Sequence, residues 1–341
     1  STTSVSVVAS DGGNNKLVFD PFYIQLVRVV DSFGKRLCLE AISPSTDLDA
    51  LYRRQFDKEG KPQTSLGKLI HDLKKRPSSL HSLSPMIPDA QFARENPNLV
   101  SPSWVQVYRD LCEWAVLYER ICHSSFATNT LIVRDGLLRS KIFSGEYFIE
   151  MCDKMKNAIE AIYKKDKLRI YLVGLAKHSK VLERYNLAIG IERLFNPGDA
   201  LYVEIPRSME RKAYVWPEYA RGTEMEGEGE APKFVAGSLY FVRFGSRIGD
   251  PTWTVDILSS QKDNAQEIFG YLLADAIDGF PVPFYPRCLQ KAHEFAQIVD
   301  FDLDILQDQV ITAVRKVLPE SGKETIDLIP FKSDFSERRY G

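Results

Sequence analysis

The sequence predicts an α/β fold, a mixed sheet flanked by helices. Three closely spaced β-like runs open the chain, and helical and strand-like periods then alternate. The first pattern predicts an antiparallel meander, and the second predicts parallel strands joined by crossover helices. With 44% hydrophobic and 11% aromatic residues, the 341-residue chain has ample material for a sizeable core.

The opening runs are residues 5–11, "FYIQLVRVV" at 22–30 and "KRLCLEAIS" at 35–43, with turn residues between them. From 46 to 102 the chain turns polar and proline-rich, which predicts a flexible or helical insertion with one short helix near Leu66 to Leu73. A long helix fits 104–122, where Trp104, Tyr108, Leu111, Ala115, Tyr118 and Cys122 follow the helical period. Strand 130–134, helix 146–163, strand 167–177 and helix 181–195 continue the alternation. "ALYVEIP", "KFVAGSLYFVRFG" and "PTWTVDIL" are β-like, and an acidic loop occupies 222–232. Helices are expected over 262–277, 287–299 and 303–317, all within a single domain spanning 1–341.

Charge and cysteine usage narrow the function classes. Lys plus Arg number 44 against 46 Asp plus Glu, so a net charge of -2 gives no chain-wide attraction for a polyanion, and any nucleic-acid site must be local. The five cysteines are odd in number and widely spaced, with no CxxC pair. That pattern fits neither a disulfide framework nor a zinc knuckle and predicts a cytoplasmic, reducing location. No stretch approaches the ~20 apolar residues that span a bilayer, and the expectation is a soluble, non-exported protein.

Chemistry enters at two Asp-Gly pairs. "VSVVASDGG" places Asp11 after one apolar run, and "TLIVRDGLLRSK" places Asp135 after another. If the two runs are neighbouring parallel strands, both carboxylates sit at the carboxyl edge of the sheet, where ligands bind in open α/β sheets. Two adjacent carboxylates repel and call for a proton or a divalent cation between them; an all-oxygen donor set favours Mg²⁺ or Mn²⁺. Taken singly, each Asp-Gly also reads as an ordinary turn.

The order of three strands, helix, strand and helix resembles the ribonuclease H-like fold. With "VVASDGG", "TLIVRDGLLRSK", "YLVGLAKHSK", "LYFVRFGSR" and "PVPFYPRCLQKAHEFA" in order over residues 5–300, the chain resembles the NurA family of DNA-end-processing nucleases. The resemblance implies that Asp11 and Asp135 are the first-strand and fourth-strand metal ligands, and that Tyr285 and His293 lie near them. His293 would aid proton transfer or contact phosphate, and Tyr285 would stack on a base or bond the scissile phosphate.

A helix carboxylate completes the implied ligand set, and Glu113 and Glu119 both lie on the long helix. If that helix runs antiparallel to strand 131–135, the ligand must be level with Asp135, ~13 Å along the strand. Glu113 lies ~13 Å back from Cys122 and Glu119 only ~4.5 Å, so level favours Glu113. The helical wheel opposes it, placing Glu113 away from the Trp104/Ala115 stripe and Glu119 at its margin. Arg139, Lys141, Lys177 and Lys180 follow the two central strands at the same edge, where they would hold DNA phosphates or form a solvated basic rim.

The resemblance further implies a metal-dependent deoxyribonuclease, a single-strand endonuclease and 5′ to 3′ exonuclease of double-strand break repair. It implies two Mn²⁺ or Mg²⁺ ions and a homodimer attached to a HerA-type hexameric ATPase translocase. The apolar segments 270–280 and 301–318 are candidates for the dimer surface, with core packing the favoured reading for each. A non-catalytic scaffold of the same fold and a metal-dependent nucleotide phosphohydrolase are the rivals; the lack of a Gly-rich phosphate loop weighs against the second.

Overall fold

In the computed structural model of the chain, the described residues are 5–19, 22–43, 45–192, 200–213, 234–247 and 249–296, with Phe195, Gly198, Thr312 and Lys332–Ser333. The predicted acidic loop, the 303–317 helix and the 301–318 segment, except Thr312, lie outside them.

Strands β1 (Ser6–Phe19), β2 (Phe22–Asp31) and β3 (Arg36–Ile42) form the antiparallel meander. Four short helices follow, α1 (Leu48–Arg53), α2 (Ser65–Asp72), α3 (Leu80–Leu83) and α4 (Ala90–Glu95). The long helix is α5 (Trp104–His123). Strand β4 (Thr130–Asp135), helix α6 (Tyr147–Asp166), strand β5 (Ile170–Ala176) and helix α7 (Lys180–Ile191) continue the chain. Beyond them come β6 (Leu201–Glu204), α8 (Arg207–Ala213), β7 (Gly237–Arg243), β8 (Thr252–Leu258), α9 (Ala265–Ala276), α10 (Arg287–Ala296) and β9 (Lys332–Ser333).

The sheet runs β3-β2-β1-β4-β5-β8-β7-β6, with β9 paired to β1. β1, β4 and β5 are parallel neighbours, and the remaining main pairings are antiparallel. A 3-2-1-4-5 core with helices after β3, β4 and β5 is the ribonuclease H-like arrangement, extended here by three antiparallel strands.

Side-chain alternation sorts the core onto two faces. Ile132 of β4 and Ile170 and Leu172 of β5 pack with α5 and α6. Leu131, Val133, Tyr171, Val173 and Leu175 face the other way, against α9 and α10.

Two differences from the pattern the sequence predicts concern β1 and residues 48–99. β1 does not stop at Asp11: its parallel pairing with β4 ends at Ser10, but antiparallel pairing with β2 carries it on to Phe19. Residues 48–99 hold four helices rather than one. Leu48, Leu51, Leu66, Leu69, Ile70, Leu80 and Leu83 are buried in the α5 core, so this polar-looking stretch conceals a stripe of anchoring leucines. Capping by Asp47, Thr64, Ser79 and Asp89 starts each short helix, which explains the polar residues between the apolar ones.

Candidate active site

β1 and β4 pair Ser10 with Arg134, so one further step sets Asp11 level with Asp135 at the carboxyl edge of both strands. Asp11 shares a face with Ala9, and Asp135 shares one with Val133, both on the α9/α10 side. Glu113 arrives from α5, on the opposite side. Gly12 admits it: a Cβ at that position would collide with Glu113 Oε1. Gly136 serves otherwise, since its φ of 94° makes the turn after Asp135 one that glycine alone adopts readily. The two Asp-Gly pairs therefore have different causes: only the second is a turn.

Asp11, Glu113 and Asp135 line one cavity of about 450 Å³, together with Arg109, Arg134 and Lys141. Of the two carboxylates on the long helix, the structure puts Glu113 on this cavity. Glu119 lies away from this cavity, bonded to Ser65 Oγ and Lys68 Nζ. The helical wheel separates the two carboxylates poorly because α5 is buried around much of its circumference, with Trp114, Ala115 and Leu117 all enclosed.

α10 brings the C-terminal pair to the same edge. Cys288, Leu289, Ala292 and Ala296 bury one stripe of this helix. That seating places His293 Nδ1 2.9 Å from Asp11 Oδ2. From within this helix Gln290 bonds Val282 at both its N–H and its carbonyl and donates to the Tyr285 carbonyl at 2.9 Å, fixing the preceding turn that carries the ring. Tyr285 is 1% exposed, packs edge-on against Trp253 at 4.9 Å, and its buried hydroxyl has no hydrogen-bond partner among the described residues. Lys177 Nζ lies 4.9 Å from the centre of its ring.

The basic residues divide. Lys141 is exposed on the cavity wall, and Lys180 is exposed and ion-paired with Glu183 at 3.1 Å. Arg139 is not a rim cation. Its side chain is fully buried, with Nη2 2.6 Å from Asp256 Oδ1, Nε 2.8 Å from Asp256 Oδ2 and Nη1 3.3 Å from Glu210. The sequence showed its charge but not the two distant carboxylates, Asp256 on β8 and Glu210 on α8, that tie it down and with it the β4–α6 connection. Arg109 and Arg134 are cavity residues that the sequence reading passed over. Their positions, one helical turn before Glu113 and directly before Asp135, were the available signal.

The electrostatics of the cavity are strained. Burial pushes the Glu113 carboxyl up to about 8, opposed by Arg109 and Arg134 and reinforced by Asp110 and Asp11. Burial, with repulsion from Asp11, lifts Asp135 to about 6, against the pull of Lys177 and Arg134. The hydrogen bond that His293 donates to Asp11 raises its pKa above the ordinary value despite partial burial. Burial, reinforced by Asp135 and Asp11, also drives the Tyr285 hydroxyl far up, keeping it neutral.

No protein-family model matches the chain, and no curated relative matches it. Similar solved structures include the NurA nuclease from Sulfolobus solfataricus, at 14% identity over 93% of this chain and 86% of that one, TM-score 0.37. A second NurA structure is 16% identical over 92% and 90%, TM-score 0.36. A third, of NurA bound to dAMP and manganese, is 15% identical over 87% and 86%, TM-score 0.32.

Among the described residues, no three His, Cys, Asp or Glu side chains ring a single point as closely as one ion would require. The donor chemistry nonetheless fits a hard divalent cation. All three carboxylates are oxygen donors on one cavity, and burial penalises the charge of Glu113 and Asp135, a penalty that a cation would relieve. Among the same residues no helix is long and apolar enough to cross a membrane.

Proposed function

We propose that this chain is a metal-dependent deoxyribonuclease of the NurA type, hydrolysing phosphodiester bonds at the Asp11/Glu113/Asp135 cavity. The observation that carries the reading is the convergence on one sheet edge of three carboxylates from β1, α5 and β4, with His293 bonded to the first. Asp11, Glu113 and Asp135 would hold two Mn²⁺ or Mg²⁺ ions, which supply an activated water and offset negative charge at phosphorus. Asp11 orients His293, which is placed to pass a proton to or from the reacting oxygens. Tyr285, held neutral, keeps its hydroxyl proton as a donor to the phosphate. Lys177 and Lys141 would position the strand, with Lys180 in a secondary, solvent-screened role.

In this reading the enzyme cuts single strands and resects DNA ends in the 5′ to 3′ direction during break repair. It works as a cytoplasmic homodimer fed by a HerA-type hexameric ATPase. Confinement by such a partner suits a chain whose net charge of -2 provides no bulk grip on DNA.

End-labelled single and double strands incubated with Mn²⁺, Mg²⁺ or EDTA test the core of this proposal. Cleavage that requires either metal and is lost in Asp11→Ala and Asp135→Ala is the expected result. Full activity in either variant would remove the two-metal assignment. Addition of a HerA-type ATPase and ATP should raise duplex resection severalfold, and sedimentation should give a dimer.

A further inference from the structure

Two guanidinium groups in the cavity have no part in that chemistry. Arg109 Nε lies 3.3 Å from Glu113 Oε1, and Arg134 Nη2 lies 4.0 Å from Glu113 Oε2. Arg134 also donates from Nη1 to the Leu137 carbonyl at 3.1 Å, with its guanidinium 4.2 Å from the centre of the Trp114 ring. The Nε–H groups of both arginines are buried, yet neither makes a well-formed hydrogen bond among the described residues, the Arg109–Glu113 approach included.

This is a poor geometry for a purely structural ion pair. A structural Arg–carboxylate bridge closes into two parallel bonds of ~2.8 Å, as Arg139 does with Asp256 in the same protein. A buried N–H left unmade costs about 1–3 kcal/mol, so two of them beside one carboxylate describe a pair waiting for a better acceptor. A phosphate offers several acceptor oxygens to two planar donor forks, and the arginines line the same cavity as Asp11 and Asp135.

Resting on the nuclease reading above, we propose that Arg109 and Arg134 form a clamp for a phosphate of the substrate strand, and that Glu113 is its internal competitor. Glu113 stands against both guanidinium groups without satisfying either. When a divalent cation takes Glu113, the clamp is released to the phosphate, so that metal loading and strand binding favour one another. Trp114 holds the Arg134 plane, and the Leu137 carbonyl fixes one edge of it, leaving the rest of the fork for the ligand.

The test is fluorescence anisotropy of a labelled single-stranded oligonucleotide with the full chain in EDTA, where cleavage is absent, at a pH about one unit above the value of about 8 to which burial pushes Glu113. Glu113→Gln is expected to tighten binding about tenfold, within the usual range of coupling between sites. Glu119→Gln, which removes the same charge from the same helix but outside the cavity, should leave binding unchanged. Adding Arg109→Gln to Glu113→Gln should abolish the gain, and Arg109→Gln tests this even if changes at Arg134 impair folding. Oligonucleotides with a 5′-phosphate or a 5′-hydroxyl distinguish a terminal from an internal phosphate: a gain confined to the first assigns the clamp to strand ends. Equal tightening by Glu113→Gln and Glu119→Gln, none by Glu113→Gln, or a gain that survives loss of Arg109 would overturn the clamp. Failure of the nuclease reading would instead show as wild-type protein that cuts no DNA with either metal, whatever the anisotropy.

Discussion

Glu113 and Glu119 stand six residues apart on one helix and have opposite fates. Burial opposes the charge of Glu119, but bonds from Lys68 and Ser65 outweigh it and hold its carboxyl below the usual range. Burial of Glu113 is not outweighed, and its carboxyl rises to about 8. Glu119 lines a second cavity of about 370 Å³ between β3, α2 and α5, where the fold itself supplies the counter-charge. Glu113 faces a cavity whose cations only half engage it. The difference marks which carboxylate serves the fold and which is held ready for a ligand.

Substitution at the two positions should separate them by the widest margin. Glu113→Gln is expected to lower metal-dependent cleavage by about 10³-fold or more, the scale on which loss of a charge-stabilising group acts. Glu119→Gln should leave the rate within about twofold, since surface-side changes far from reacting atoms seldom do more. Initial rates on an end-labelled strand under saturating Mn²⁺ decide this, and the reverse ranking would move the active site to the second cavity.

His293 offers the next largest effect. Its Nδ1 bond to Asp11 ties it to a residue that lines the Glu113 cavity, so His293→Ala should cut kcat by about 10²–10⁴-fold, as for a lost proton-transfer group. Strand affinity should change far less. Equal losses in rate and affinity would make His293 a simple phosphate contact.

Legibility in the sequence followed how local each cause was. The meander, the α5 period and the parallel β4 and β5 each depend on short-range patterns, and all three stand in the structure. Asp11 and Asp135 were visible because each ends an apolar run at a predictable edge. Glu113 needed a level argument in three dimensions, and the glycine that admits it, Gly12, looked like half of a turn. Arg139 was misread because its partners, Glu210 and Asp256, lie on elements far along the chain. The helices of 48–99 were hidden because capping residues and prolines outnumber their buried leucines, and such helices draw stability from tertiary packing rather than propensity.

The two carboxylates should also give metal-free stability opposite slopes against pH. A carboxyl raised in the folded state binds its proton more tightly there than in the unfolded chain. Glu113 therefore makes its largest contribution below the unfolded carboxyl range, and that contribution is lost as pH rises toward about 8. Asp135, raised to about 6, acts in the same direction over a narrower window. Glu119, held low, contributes above its unfolded value and loses that contribution in acid. Melting temperature in EDTA is thus expected to fall between pH 5 and 8, as measured by far-UV circular dichroism, and Glu113→Gln should flatten the fall. An unchanged slope in that variant would show that the Glu113 burial is relieved by something other than a proton.

The smallest expected effect is the stability that Glu119 contributes. Its bridge to Lys68 is about one-third exposed on both sides, so solvent screens it. A screened pair of this kind is worth about 0.2–1 kcal/mol. Loss of the Ser65 bond would add about 1 kcal/mol at most, because water takes its place on the exposed side. Glu119→Gln should therefore lower the melting temperature by only a few degrees. A Lys68→Ala, Glu119→Gln double-mutant cycle isolates the pair, and its coupling should weaken as salt is raised. Glu113 should behave in the opposite sense, since its removal relieves a buried charge: Glu113→Gln in EDTA at pH 8 should melt no lower than wild type. If Glu119→Gln instead proves neutral and Glu113→Gln destabilises strongly, the half-engaged arginines hold the fold after all, and the contrast between the two cavities loses its meaning.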